Sequence, residues 1–532
     1  LPDISRSCRD DEEKRISGIK QLPVRDALIQ LLKFEHRLKT RFPIVEETAF
    51  TLATLCLLGS CAAASNRMEE KEIRFSRPPN IVLLTLDDAN NWIGAWGGQA
   101  KTPNIDRLAS QGRMFYNAHC VAPLCNPSRT ALLTGQRPET TGQYGNDGNF
   151  RDKPGGNERI TLPQFLNKNG YFTAAAGKIF HGPRGEENKP DSLSDDISWD
   201  TQWVGTFGTP SWDLYWNEAG YSKWLRGREH ELLAKTNNKN PNFPYLAKYC
   251  AWGPIPDATE ECGDWKVMDF GVEFLKENHA RPFFLALGTQ MPHSPQIVPQ
   301  KYFNLYPSDE IKLPDLPSND MDDIPAIAKS NQFTVLLEFM KEMGEYKNAI
   351  HAYLAATSFA DECVGHFLKA LDNSEYGNNT IVIFLSDHGW QLGHKNRWEK
   401  ATLWRQSTQS PMIIRLPEGM IKPGVTYNYV SFLDIFPTLT DLLGYEKPSF
   451  LEGHSLLPIL KNPDFEWEYP AVVTNQKDNH SVLFENWNYI RYRDGSEELY
   501  NHSTDPGEYT NLAAQEKYKD LIDKMAAWIP SL

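Results

Sequence analysis

Four apolar runs in this chain end on ionisable residues. Asn80–Leu86 is followed directly by Asp87 and Asp88. Phe172–Gly177 is followed by Lys178, with His181 three residues on. Pro282–Gly288 leads to His293, and Thr380–Ser386 to Asp387 and His388. The first and last runs are rich in branched apolar residues and read as buried strands. Open α/β sheets place ligand sites at the carboxyl ends of their strands, so the four runs would deliver carboxylates, a lysine and imidazoles to one edge. Adjacent carboxylates repel unless a cation or hydrogen bonds offset them. Asp87, Asp88, Asp387 and His388 therefore suit an oxygen-rich divalent metal, calcium or magnesium, with His388 as a nitrogen donor. Each carboxylate pair alone also fits a solvated turn or a helix cap, and a lone Lys178 or His293 fits an ordinary surface group. The shared sheet edge is what favours chemistry.

A second feature is Cys125-Asn126-Pro127-Ser128-Arg129, continuing to Thr134-Gly135. Asn126-Pro127 is expected to open a helix that stops at Gly135, placing Cys125 just before a helix N-terminus. Free N–H groups and the helix dipole favour an anion there. The residues alone allow a thiolate nucleophile of lowered pKa, or a helix start with a spectator cysteine.

The elements that must position these groups follow a legible pattern. From Asn80 onward, short apolar runs alternate with amphipathic stretches, the signal for an α/β fold with a large, mostly parallel sheet flanked by helices on both faces. Thr102-Pro103 opens a helix ending at Gly112, with Thr102 as the expected cap. Lys347–Leu371 carries apolar residues at helical spacing and leads into the last buried strand. Residues 183–262 break the pattern and hold six of the fifteen Trp, Trp199, Trp203, Trp212, Trp216, Trp224 and Trp252, so they read as an insertion. A second irregular stretch runs from Pro295 to about Gly344. Beyond about Phe465, short strand-like pieces and a final helix predict a small C-terminal α+β subdomain over 465–532, with the catalytic domain over 77–464.

Composition narrows the class. The chain has 532 residues, 40% hydrophobic and 12% aromatic, which excludes a mainly disordered protein. Lys and Arg number 55 against 69 Asp and Glu, a net charge of −14, so general nucleic-acid binding is excluded and a polyanion would need a local basic pocket. Eight Cys do not make a disulfide framework, although Cys250 and Cys262 are expected to pair in an oxidising compartment. Residues 49–64 (AFTLATLCLLGSCAAA) are too short to span a bilayer and fit the core of a secretion signal. Leu58-Gly59-Ser60-Cys61 resembles a bacterial lipobox. Segment 49–76 is therefore expected to be signal and linker, with Cys61 as the lipidation site, and 1–48 an extension ahead of the functional start. The alternative is a buried helix of an N-terminal extension.

The Cys-x-Pro-Ser-Arg segment with its Thr-Gly turn closely resembles the signature of the formylglycine-dependent sulfatases. Other segments agree in order: LDDAN at 86–90, TPNIDRLA at 102–109, GKIFH at 177–181, MPH at 291–293, SDHGW at 386–390, WEK at 398–400 and ELYNHSTDPGEYTNL at 498–512. The resemblance runs from about Arg77 to Leu512, and GKIFH, Pro-His and DHGW are most similar to the iduronate-2-sulfatase branch. Met291 stands where that branch often has Lys, and His394 and Arg405 where relatives often carry Glu. The resemblance implies an alkaline-phosphatase-like sandwich and a Cys125 oxidised to formylglycine (3-oxoalanine) by a formylglycine-generating enzyme. It implies a calcium ion, with magnesium as the alternative, held by Asp87, Asp88, Asp387, His388 and residue 125. One oxygen of the hydrated aldehyde would attack sulfur, and loss of the other hydroxyl's proton would expel sulfate.

By the same resemblance, Arg129 and Lys178 would stabilise the diol, and Lys178 and Lys400 would contact sulfate. His181 would orient or deprotonate the diol. His293 would bind sulfate and protonate the leaving sugar oxygen, and Trp390 would line the sugar subsite. The expected partner is a sulfated oligo- or polysaccharide containing uronic acid, such as ulvan, heparan sulfate or dermatan sulfate. Lys223, Arg226, Arg228, Lys395, Arg397 and Arg405 are candidates to meet it. The expected setting is the periplasm or cell surface of a bacterium, with the membrane reached only through a lipid anchor. Competing readings are a phosphoester or phosphonate-ester hydrolase on the same architecture, a thiol enzyme using unmodified Cys125, and a non-catalytic glycan-binding lipoprotein.

Overall fold

The computed structural model describes residues 73–181, 195–203, 252–255, 258–329 and 334–530. Cys61 and the lipobox, Cys250 with its expected pairing, Lys223, Arg226, Arg228, and Trp212, Trp216 and Trp224 lie outside the described residues.

The centre is an eight-stranded sheet. Its strands in chain order are β1 (Asn80–Asp87), β2 (Arg113–His119), β3 (Phe172–Gly177), β4 (Thr201–Trp203), β5 (Phe283–Pro292), β6 (Thr380–Ser386), and two strands at Met412–Arg415 and Gly424–Ser431. A short hairpin, β7 (Gln391–Leu392) and β8 (Trp398–Glu399), intervenes before them, making them β9 and β10. The spatial order is β10-β2-β9-β6-β1-β5-β3-β4. Only β9 runs antiparallel to its neighbours. The four runs chosen from the sequence are thus the four contiguous strands β6, β1, β5 and β3, all parallel.

Burial explains why they are uniformly apolar. In β1, Val82, Leu84 and Leu86 face one core layer and Ile81 and Leu83 the other, the period-two alternation of a strand covered on both faces. The first layer is closed by α1 (Pro103–Gln111), a helix over Gly263–Phe274 (α3) and a 27-residue helix over Tyr346–Asp372 (α4). The second is closed by α2 (Cys125–Thr134) and α5 (Ile435–Leu442).

Two boundaries differ from the sequence reading. Cys125 is the first residue of α2 rather than the residue before it. Thr102 does not cap α1; its hydroxyl donates to Asp106 and accepts from Gly94 N–H. Asp361 of α4 takes over instead, accepting the backbone N–H groups of Asn104 and Ile105 at 3.1 and 2.8 Å. A carboxylate from a packed neighbour thus satisfies the orphan donors of the helix start.

After Phe465 the chain forms a four-stranded antiparallel sheet, β11 (Ala471–Thr474), β12 (His480–Phe484), β13 (Trp487–Arg491) and β14 (Glu497–Asn501), followed by α6 (Lys519–Ala526). One face of this sheet joins the second core layer through Val473, Leu483, Ile490 and Tyr500, and the other packs on α6. Of the Trp-rich insertion, Trp199 stacks on Phe284 and Trp252 is buried, so these two serve the core. No helix among the described residues is long and apolar enough to cross a membrane.

Candidate active site

The strand ends converge. Gly177 closes β3 with φ +75°, and a Cβ there would lie 2.0 Å from the Gly288 carbonyl, so only glycine lets β3 run this close to β5 before Lys178 turns inward. At the end of β1, Asp88 has φ +68°. Successive strand residues point to opposite faces. The left-handed Asp88 breaks that alternation, and both carboxylates join one cluster. Its strained backbone is held by its N–H on Asp387 Oδ1 (3.1 Å), by the Tyr353 hydroxyl donating to its carbonyl (2.9 Å), and by Ala89 N–H on Ser386 Oγ (2.8 Å).

Asp87, Asp88, Cys125, Asp387 and His388 are buried, and each offers a ligand atom within 4.8 Å of all the others. Cations surround them. Lys178 Nζ pairs with Asp87 Oδ2. Lys400 Nζ lies 2.6 Å from Asp88 Oδ1 and 3.1 Å from Cys125 Sγ. Arg129 donates through Nε to Asp387 Oδ2 at 2.9 Å and through Nη2 to Asp87 Oδ1 at 3.3 Å, while Nη1 donates to the carbonyls of Lys178 and Ile179. Its guanidinium clamps the ends of β1, β3 and β6, which narrows the expected role at residue 125 to one acting through charge. Ser128, one turn into α2, donates to the Asp387 carbonyl at 2.5 Å.

The imidazoles complete the group. His388 Nε2 is 3.4 Å from Cys125 Sγ and 3.2 Å from Asp88 Oδ1, and its Nδ1 faces the Gly389 carbonyl at 2.9 Å. That carbonyl selects the tautomer with Nδ1–H, leaving Nε2 to the cluster. His181 neighbours Cys125, and burial lowers its imidazole against the opposing effect of the cysteine. His293 Nε2 is 3.6 Å from Asp88 Oδ2. It keeps 15% of its side chain exposed, against 7% for Lys178 and 6% for Lys400.

Trp390 requires a correction. Its side chain has no exposed surface; it stacks on Tyr353 and meets Trp398 edge-on, with Lys400 Nζ 5.5 Å from its ring centroid. It supports Lys400 by a cation–π contact instead of presenting a face to a sugar. Two expected polyanion contacts are likewise internal. Lys395 is buried in an ion pair with Asp320, and buried Arg397 donates to the carbonyls of Ala328 and Lys329. Arg405 bonds Asn117 and Gln409. Met291 is a buried core residue.

Three carboxylates face three cations here, Lys178, Lys400 and Arg129, and burial with these neighbours shifts the group titrations. Burial raises Asp88 well above the usual carboxylate range against the pull of Lys400, and it raises Asp387 to about 6 against Arg129 and His388. Asp87 goes the other way, because Lys178 leads a set of cations that outweighs its burial. Burial would push the Cys125 thiol up, but Lys178, Lys400 and His388 hold it well below its ordinary value. Burial lowers His293 to about 4. Asp88 Oδ2 is buried with no hydrogen-bond partner. An orphaned carboxylate oxygen within a knot of hard oxygen donors and one imidazole is what a divalent oxygen-seeking cation would satisfy, so these residues fit such an ion.

Sequence reasoning missed Tyr353, Ser128 and Asp320. Tyr353 was legible only as an apolar position of a helix, although a buried phenol needs a partner, and here it finds Asp88 and Asn90.

Sheet and site together form an α/β frame with a buried cluster of carboxylates, a cysteine and a histidine at the carboxyl ends of its strands. Comparison gives the family. The sulfatase family profile matches residues 79–445, and the profile "N-sulphoglucosamine sulphohydrolase, C-terminal" matches 393–532. A sulfatase of Formosa agariphila is 36% identical over 505 residues, covering 93% of this chain and 92% of its own. Human iduronate 2-sulfatase is 30% identical over 456 residues, 75% and 77% of the two chains. The solved phosphonate monoester hydrolase of Agrobacterium radiobacter superposes with a TM-score of 0.66 at 20% identity, covering 84% of this chain and 94% of its own, a likeness of fold. The chain belongs to the sulfatase family and is a sulfuric ester hydrolase. Membership implies a formylglycine at residue 125 and a metal among the clustered carboxylates and His388.

Proposed function

We propose that this protein is an exported bacterial sulfatase that removes sulfate from uronic-acid-containing glycans, using calcium and a formylglycine made from Cys125. The observation that carries the reading is the position of Cys125 Sγ, the atom a formylglycine oxygen would replace. It lies at the helix N-terminus, beside Lys400 and His388 and near His181.

When bound, the cation would be held by Asp87, Asp88, Asp387, His388 and residue 125, and it would supply charge neutralisation for sulfate oxygens and for an ionised hydroxyl. The protein's own groups do the rest. Lys178 and Lys400 stand where they can meet sulfate oxygens and offset the charge that develops during transfer. His181 is placed to hold or take a proton at residue 125. His293, partly exposed beside Asp88, is the candidate to protonate the leaving sugar oxygen. Arg129 keeps the carboxylates in place. Human iduronate 2-sulfatase, 30% identical, supports a sulfated uronate as the sugar. The apolar run before Cys61 supports export, with Cys61 as lipid anchor, and a formylglycine-generating enzyme is the required maturation partner.

The test is mass spectrometry of the peptide containing residue 125, from a host that makes formylglycine, together with turnover of 4-nitrophenyl sulfate and phenyl phosphonate esters. An aldehyde and a preference for sulfate are expected. An unmodified thiol in a host that converts a control sulfatase, or a preference for phosphonate, overturns the reading.

A further inference from the structure

The loop that brings Lys400 into the site is unusual in its backbone. Gly393 has φ +120°, and four residues with side chains also lie in the left-handed region: Lys395 (+53°), Asn396 (+49°), Glu399 (+77°) and Ala401 (+63°). Residues other than glycine adopt this conformation only when their surroundings impose it, and such positions cluster where function requires a fixed geometry. Lys400 lies between two of them.

The surroundings that impose it are few and specific. Asp320 Oδ2 accepts Lys395 N–H at 2.8 Å, Asp320 Oδ1 accepts Lys395 Nζ at 2.7 Å, and the Asp320 carbonyl accepts Nζ at 3.2 Å. One carboxylate thus fixes both the main chain and the side chain of the first left-handed residue after Gly393. Lys395 Nζ also lies 5.1 Å from the Tyr500 ring centroid and 6.0 Å from that of Trp404. The stretch carrying Asp320 is tied to the C-terminal motif, where Tyr509 donates to the Asp315 carbonyl and Asn511 N–H to Asp323 Oδ2. At the loop's far end, Ala401 N–H donates to the Pro123 carbonyl and Asn475 Nδ2 to the Ala401 carbonyl.

We propose that Asp320 is a positioning residue for catalysis: through its double hold on Lys395 it fixes the strained loop that sets Lys400 Nζ between Asp88 and residue 125. The proposal rests on the reading of Lys400 as a group that meets sulfate. A buried ion pair broken on one side leaves an uncompensated charge, so loss of Asp320 both frees the loop and leaves Lys395 to find another partner.

A double-mutant cycle tests it, with 4-nitrophenyl sulfate as probe and with formylglycine and metal content measured in each protein. Asp320→Asn is expected to lower kcat 10- to 100-fold with KM changed less than threefold and both contents unchanged. In a Lys400→Ala background the same substitution is expected to change kcat less than twofold, because the group it positions is gone. A merely structural residue would lower kcat equally in both backgrounds. If Asp320→Asn does not fold, Lys395→Met, which keeps the stem against Tyr500 and Trp404, takes its place in the cycle with the same expectation. A kcat within twofold of the parent, or equal losses in the two backgrounds, overturns the proposal. A Lys400→Ala protein as active as the parent overturns the role of Lys400 itself, which is a different result.

Discussion

Two regions of this molecule bury charge, and they do so in opposite ways. At the carboxyl edge of the sheet, three carboxylates and a cysteine crowd together, cations bridge them, and Asp88 Oδ2 accepts no hydrogen bond. Between the Lys400 loop and the C-terminal sheet, by contrast, the polar contacts close on themselves. Asp320 meets Lys395, Glu498 accepts from Trp404, Tyr492 and Tyr500, and Glu508 meets His502, Asn488 and the Arg405 N–H. Burying a charge is costly unless it is paired. The second region meets that requirement for its carboxylates with protein groups alone. The first leaves one buried carboxylate oxygen, Asp88 Oδ2, without a hydrogen bond, in keeping with a site that takes an ion.

The sharpest way to break this contrast is to remove the reacting groups. Cys125→Ala is expected to lower turnover of 4-nitrophenyl sulfate about 10⁴-fold or more, since nothing replaces the nucleophile. Lys400→Ala should cost about 10²- to 10³-fold in kcat, the range for one preorganised charge-stabilising group. Cys125→Ala should melt close to the parent, whereas Lys400→Ala leaves Asp88 buried without its cation and should melt lower while still folding; a lowered melting temperature with kcat unchanged would argue that this charge is structural.

Stripping metal addresses the Asp88 oxygen directly. Dialysis against EDTA should abolish activity and lower the melting temperature, and added calcium should restore both. Stabilisation by a bound ligand grows with its excess over Kd, about 2.7 kcal/mol at a hundredfold excess. An apo-protein that melts where the holo-protein does would show that the orphaned Asp88 oxygen is not waiting for a cation. His293→Ala should lower turnover about 10²-fold while metal content stays the same, because the ring lies beside the ligands without being one.

A third kind of burial gives a smaller effect. Asp361 is buried against backbone N–H groups of α1 and the Asn104 amide, and burial raises its carboxyl to about 6 from a usual 3.8. The folded chain then binds this proton more tightly than the unfolded chain. Its contribution to stability is present below about pH 4 and is lost as pH rises through about 6, at most ~3 kcal/mol. Thermal melts between pH 4 and 7 should show that slope in the parent and a flatter one in Asp361→Asn; equal slopes would contradict the assignment. Smallest of all, the half-exposed pair of Arg107 with Asp372 should matter by under about 1 kcal/mol when Arg107 is changed to Ala.

How much of this was legible beforehand follows from the same distinction. The four site-bearing strands announced themselves because strands covered on both faces must be apolar throughout, and β6 spans Thr380–Ser386 as expected. The groups at their ends were legible only together, because four separate strands deliver ionisable residues to one sheet edge. What escaped was pairing over distance. Lys395 and Arg397 looked like cations available to a polyanion, since nothing local marks a partner such as Asp320, 75 residues earlier than Lys395. Thr102 looked like a cap because its neighbours suit one, yet α4 brought a better acceptor. Trp390 looked like a sugar platform, and its total burial could be known only once α4 and the β7–β8 hairpin had been placed over it.

The burial of Cys125 imposes an order of events on the life of the protein. The side chain has no exposed surface, and every residue of α2 is buried with it. If residue 125 is converted by a second protein as proposed, that protein would have to reach the sulfur before the chain folds, and folding would then seal the product away. Protein that folds before meeting its maturation partner would stay unconverted. Folded, unmodified protein mixed with that partner should gain no aldehyde, whereas the same chain presented unfolded should.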